Sequence, residues 1–333
     1  MNEADNQQEE GTEATTPLPW PLTGVCGLCM GAADAVPGVS GGTIALILGV
    51  YRRLIDSIGT VLKLPLHARS AEGRARVARA FHFLVPLGLG VVIAYWLGTR
   101  LLVGPTEVKG LLRRPDTAPL CYAFFFGLVL FSLHEPWQRI TRRDARSWIA
   151  AFVAAAVTAW AVGLEHAQRE PETWMLLYGG ALAIAVMLLP GISGSLMLLV
   201  IGQYTAITTA IHDLTGDAPR GPALERVGVF LLGIALGLAL FVPLLRALLR
   251  RHQDVTLAAL TGLMAGSLRA LWPWKSHYDI KDVAAGHMAN TAVASNWPWV
   301  LAFVALGALA VWLLRRLEQR IERVNASVAS EQA

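Results

Sequence analysis

Residues 37–51 read P-G-V-S-G-G-T-I-A-L-I-L-G-V-Y, and residues 190–204 read P-G-I-S-G-S-L-M-L-L-V-I-G-Q-Y. Pro37/Pro190, Gly38/Gly191, Ser40/Ser193, Gly41/Gly194, Gly49/Gly202 and Tyr51/Tyr204 coincide at a constant offset of 153 residues. Both copies sit inside long apolar stretches. A Pro-Gly-x-Ser-Gly break placed twice in this way leaves few folds open. Paired breaks in corresponding apolar segments point to a transporter-type binding site built from discontinuous helices.

The apolar context is extensive. The chain is 54% hydrophobic and 16% charged, whereas soluble chains usually carry about 25% charged residues. Stretches 83–99, 119–133, 149–164, 174–202, 227–245, 255–268 and 297–314 contain no Asp, Glu, Lys or Arg, and 20–50 contains only Asp34. Lengths of this order are what a bilayer-spanning helix needs. Residues 1–19 carry five acids and no Lys or Arg. They therefore lack the basic region of a signal peptide and read as a disordered acidic tail. The net charge of +4 sits in short loops between apolar spans, where topology accounts for it and nucleic acid need not. Cys26-Gly-Leu-Cys29 has redox-motif spacing but no βαβ context, so both cysteines read as helix-packing positions.

The duplication extends past the motif. Ala123–Leu133 resembles Ala258–Leu268, with Gly127 against Gly262 and Ser132-Leu133 against Ser267-Leu268, and Trp148…Phe152 matches Trp299…Phe303. Each half is then a broken segment followed by three spans, over 20–165 and 172–315, with 316–333 a C-terminal tail. If each broken segment is a re-entrant hairpin, the second half is inverted. Lys and Arg then divide 18 against 10 between the two sides, which puts both termini in the cytoplasm. The expected fold is an all-α polytopic membrane protein of two inverted repeats, each a re-entrant hairpin plus three transmembrane helices.

Proline removes a backbone donor and disfavours helix at the preceding residue, so Pro37 and Pro190 should end the first half-helices. Thr43–Tyr51 and Leu196–Tyr204 are expected to restart as second half-helices. Free N–H groups at such restarts form an anion site. The candidates for it are the backbone and hydroxyls of Gly38, Ser40, Gly41, Gly42 and Thr43 in the first loop. Gly191, Ser193, Gly194 and Ser195 are their counterparts in the second.

These residues closely resemble the signature of the bacterial family known as domain of unknown function 368. The resemblance rests on Gly31–Thr43, Leu48–Tyr51, Leu189–Ser195 and Gly262–Trp274, and it spans roughly residues 20–315. It implies a polyprenyl-phosphate transporter that returns undecaprenyl phosphate, the carrier of cell-wall precursors, to the cytoplasmic leaflet of a bacterial inner membrane. It turns the expected anion into a lipid phosphate. One departure is that Gly194-Ser195-Leu196 stands where the first motif has Gly41-Gly42-Thr43, so the two half-sites are unequal.

Other residues join this reading. Asp34 is the one acid well inside the first broken segment, and an intramembrane carboxylate is costly enough to imply function. It is a candidate for coupling to protons or sodium, or for orienting the loop. Arg269 ends an uncharged span and is the best side-chain cation for a phosphate. His134 and Glu135, its counterparts in the first half, and Arg52 at the cytoplasmic mouth are weaker candidates. Tyr51, Tyr204, Trp272, Trp274, Trp297 and Trp299 read as interfacial anchors. The pairs Gly27/Gly31, Gly233/Gly237 and Gly262/Gly266 permit close helix packing. No cofactor or metal is expected.

Two rivals stay open. One is a polyprenyl-diphosphate phosphatase-like membrane enzyme, although here glycine follows Ser40 and Ser193 where that family carries arginine, and neither apolar core contains a glutamate. The other is a transporter of a small soluble anion.

Overall fold

The computed structural model describes residues 18–36, 39–67, 70–104, 110–163, 171–215, 220–275 and 297–331. Pro37, Gly38 and most of the acidic tail lie outside the described residues. The first half contributes α1 (Trp20–Asp34), α2 (Gly41–Ile47), α3 (Tyr51–Leu62), α4 (Ala71–Gly98), α5 (Ala118–Ser132) and α6 (Ala145–Val162). The second contributes α7 (Met175–Leu188), α8 (Gly194–Val200), α9 (Tyr204–Thr215), α10 (Arg220–Arg251), α11 (Gln253–Ser267) and α12 (Trp297–Glu331). The helices begin where their sequence tells them to. Ser70 caps α4 by accepting from the Gly73 amide at 3.0 Å, and Asp144 caps α6 through the Ser147 amide at 2.9 Å. Such caps satisfy donors the helix cannot.

Among the described residues five helical segments, Ala71–Leu102, Ala118–Gln138, Ala145–Val162, Arg220–Arg251 and Trp297–Arg316, are long and apolar enough to cross a membrane, and the pair α8–α9, bent by 112°, would make a sixth span. Their outer faces are apolar and uncovered: Phe152 and Leu240 are each 75% exposed. On a soluble protein such faces would be a liability; against lipid they cost nothing. This is a multi-pass membrane protein.

Glycines set how the helices pair. Gly27 faces the Leu87 carbonyl and Gly31 the Val91 carbonyl, each sixty residues on, so α1 and α4 run parallel. Gly233 and Gly237 face Leu177 and Ala181 in the same manner, making α7 and α10 parallel. Gly262 and Gly266 face Ala151 and Ala155, which makes α6 and α11 parallel across the two halves. The matching exchange puts α5 against α12, with Gly127 on the Val304 carbonyl. All three glycine pairs expected to pack closely do so within this one chain. Both α6 and α11 start at the same end, where the Asp254 carboxylate accepts from the Thr141 and Arg142 amides at 2.9 Å each.

Two expectations are corrected. The short helices after the breaks stop at Ile47 and Val200, because Gly49 (φ 70°) and Gly202 (φ 74°) turn the chain in the left-handed region. Tyr51 and Tyr204 accordingly begin the next helices and do not end the short ones. α11 has 15 residues, and the tight turns from Leu268 to Trp272 carry the chain on past its end. The C-terminal tail is helical as far as Glu331, as a continuation of α12.

Candidate functional site

The two breaks meet. Ser40 Oγ donates to the Leu189 carbonyl at 3.3 Å, Thr43 Oγ1 accepts from the Gly191 amide at 3.0 Å, and Tyr51 donates to the Leu188 carbonyl at 2.9 Å. Residues about 140–150 apart in sequence are thus joined at the centre of the molecule. Tyr51 is buried in this junction and is not an interfacial anchor. Gly191 has φ +95°, and a Cβ on it would come within 2.7 Å of the Met264 backbone on α11. Only glycine fits there.

The two loops are not equivalent. In the first, the Asp34 carboxylate accepts from the Gly41 amide at 2.6 Å, and Ser40 Oγ caps α2 through the Gly42 amide at 3.2 Å. The Thr43 amide bonds the Ser40 carbonyl at 2.9 Å. The chain's own carboxylate thus satisfies the first amide of α2. In the second loop the residue at the Asp34 position is Met187, so no acid is supplied. Ser193 caps α8 with no side-chain bond; its hydroxyl instead pairs with that of Ser195 at 2.7 Å. Gly194 lies against the Ala183 carbonyl.

Arg269 follows α11 in a run of tight turns. Its Nη1 donates to the Ala159 carbonyl in the last turn of α6 at 2.8 Å, and the guanidinium lies over Gly163. The adjacent Ala270 shares an apolar cluster with Val162 and with Leu196 of α8. The arginine is therefore brought to the second loop's flank. Glu135 is buried and ion-paired with Arg315 of α12, while His134 beside it is exposed, as is Arg52 on α3. The short helix His134–Gln138, which carries the first two, packs against α2. Trp272 and Trp274 meet edge to face, ring centroids 5.5 Å apart, both half-buried, while Trp297 and Trp299 are exposed.

Two polar residues went unread in the sequence. Gln203 is fully buried, its amide donating to the Met175 carbonyl at 3.0 Å, and its Oε1 has no hydrogen-bond partner among the described residues. The signal was a polar residue where the first motif has Val50. Lys275 is buried with Nζ 2.6 Å from the Ala270 carbonyl and 3.7 Å from the Tyr122 ring centroid. Its signal was a lysine directly after the Trp-Pro-Trp run.

The cross-loop bonds carry stability. Thr43→Val strands the buried Gly191 amide, and Tyr51→Phe strands the Leu188 carbonyl. Each should cost about 1–3 kcal/mol, read as a lowered unfolding temperature of the detergent-solubilised protein. Unchanged unfolding in both would mean the junction is not formed.

A polytopic membrane protein whose two helix breaks lock together at its centre belongs to the class of transporters with discontinuous helices. The family model described as VCA0040-like, undecaprenyl phosphate translocase-like, matches residues 30–289, and the chain belongs to that family. It is 35% identical over 317 residues to the polyprenyl-phosphate transporter of Vibrio cholerae serotype O1, covering 89% of this chain and 96% of that protein. The polyprenyl-phosphate transporter of Staphylococcus aureus is 31% identical over 260 residues, 74% of this chain and 84% of that one. No solved structure matches the chain.

Proposed function

We propose that this protein carries polyprenyl phosphate, specifically undecaprenyl phosphate, from the outer to the inner leaflet of a bacterial cytoplasmic membrane, recycling the cell-wall lipid carrier. The observation that carries the reading is the junction of two unequal serine-glycine loops. One is closed on its own Asp34; the other presents the Ser193–Ser195 pair, followed by Leu196, which clusters with Ala270, the residue after Arg269. The transporter names of the relatives support the same lipid. The long tail is already soluble in the bilayer, so only the phosphate needs a polar path. In this reading the phosphate rests first on Ser193, Ser195 and Arg269. It passes to the amides of Gly41, Gly42 and Thr43 once Asp34 withdraws.

Alternating access of this kind needs two halves of opposite orientation, 20–165 and 172–315. The parallel pairs α1–α4 and α7–α10 support it, since each broken segment then returns to the side it started from. The shared starting end of α6 and α11 supports the inversion. The Lys and Arg distribution favours cytoplasmic termini. The protein acts as a transporter and not as an enzyme: neither serine has the arginine neighbour of the phosphatase pattern, and neither broken segment, 20–50 or 174–202, contains a glutamate.

The test is head-group exchange in proteoliposomes, with an added membrane-impermeant phosphatase reporting which leaflet holds the phosphate. The Ser40→Ala, Ser193→Ala double variant should lower the rate about tenfold, as expected for losing hydrogen bonds to a charged group. No exchange above empty liposomes, with or without a pH or sodium gradient, would return the assignment to a small soluble anion. Release of inorganic phosphate from undecaprenyl diphosphate would instead point to an enzyme.

Asp34 supplies the coupling in this scheme. Asp34→Asn retains an oxygen for the Gly41 amide but cannot ionise, so exchange should persist and lose its response to an imposed pH gradient. A wild-type response in that variant would reduce Asp34 to orienting the loop.

A further inference from the structure

Between α6 and α11 lies an open groove of about 480 Å³, floored by Ala155, Ala159 and Gly266 and walled by Phe126, Phe152 and Trp272. It exists because α11 comes so close to α6 that Gly266 touches the Ala155 carbonyl. Small residues on α6 then leave a trough beside the crossing. The trough has one charge, Arg269, and among the described residues no carboxylate pairs with it. A guanidinium in an apolar channel calls for an anion whose remainder is apolar.

The placement is that of a lipid standing in one leaflet. Ala159, which Arg269 bonds, is three residues from the end of α6, about 5 Å of rise. Arg269 therefore sits just inside one membrane face. From there the groove runs back to Phe152, seven residues or about 10 Å toward the bilayer middle. A soluble anion would need the arginine and nothing of this trough. The aromatic wall is built and not incidental: Phe126 and Trp272 meet edge to face at 6.0 Å, and Trp274 backs Trp272. The end at Arg269 adjoins α8 through Leu196 and Ala270, so a phosphate held there is next to the second loop.

Resting on the transport reading above, we propose that the α6–α11 groove is the lateral loading site for polyprenyl phosphate. The phosphate docks on Arg269 and the head-group-proximal isoprene units lie along Ala159, Ala155 and Gly266 toward Phe152. On the proposed topology this face is the outer one, from which the carrier must be collected.

The experiment uses the full chain in liposomes and a polyprenyl phosphate with a diazirine in an isoprene unit near the phosphate. Photolabelling should fall on the peptide containing Phe152–Ala159. It should be suppressed by unlabelled undecaprenyl phosphate and not by equal phosphatidylglycerol or inorganic phosphate. Ala156→Trp fills the groove from an exposed position and should lower labelling and exchange roughly tenfold, the worth of about two excluded methylene groups. Val153→Trp, exposed on the same helix outside the groove, should leave both unchanged. Labelling elsewhere, equal competition by phosphatidylglycerol, or full competition by inorganic phosphate overturns the proposal. If the wild type exchanges lipid and Ala156→Trp matches it, the groove is wrong and the transporter stands. If labelling is as expected but no exchange occurs, the site stands and the transport reading falls.

Discussion

Replacing Gly262 and Gly266 together by alanine should cost about 2–6 kcal/mol, taking the usual 1–3 kcal/mol for each overpacked site. A Cβ at Gly262 would lie 2.1 Å from the Ala151 carbonyl oxygen, and one at Gly266 2.4 Å from that of Ala155. Both obstacles are backbone, so no side chain can swing aside. The helices would have to separate along the crossing that joins the two halves. Thermal unfolding in detergent measures the loss, and a folded yield near zero is the extreme outcome. Gly88 and Gly228 are the controls. Nothing lies within 4 Å of a Cβ at either position, and both are helix-interior glycines, so alanine there should stabilise by up to about 1 kcal/mol. If the paired and the open glycines behaved alike, the close α6–α11 approach would be wrong.

Arg269→Gln should slow lipid-phosphate exchange about 100-fold, the upper range for a lost charge-assisted hydrogen-bond pair. Glutamine keeps a polar donor on a shorter side chain, and the half-exposed site admits water to the Ala159 carbonyl, so the unfolding temperature should move much less than the rate. Arg269→Lys keeps the charge without the planar fork, and its rate should fall between the two. Rate loss without stability loss separates a ligand contact from a helix-end cap. An equal fall in stability for both variants would make the arginine a structural bracket for α6.

The repeat, the breaks and the glycine stripes were legible because each is a local pattern: a proline-glycine interruption, a run without charge, small residues four apart. The offset of 153 residues even located the two loops that meet. The partners across that junction were not legible. Tyr51 read as an interfacial anchor because aromatic residues at helix ends usually are; the Leu188 carbonyl that holds it is 137 residues away. Thr43 read as a ligand donor, while its hydroxyl braces Gly191. Asp34 was noticed for its cost, but its seat on the Gly41 amide depends on the path of the break itself. The groove at Arg269 was invisible for a similar reason. It is a space between two helices from different halves, and no single segment encodes it.

The exchange of helices between halves also bears on how the chain is made. Synthesis delivers the N-terminal half first, so α5 enters the bilayer long before α12, the helix it packs against, has been translated. Its Gly127 face then rests on lipid until Val304 arrives. α6 waits in the same way for Gly262 and Gly266. α12, translated after the other described helices, is thus the one that closes the first half, and a chain that stalls before residue 297 holds its earlier spans without the contacts that fix them.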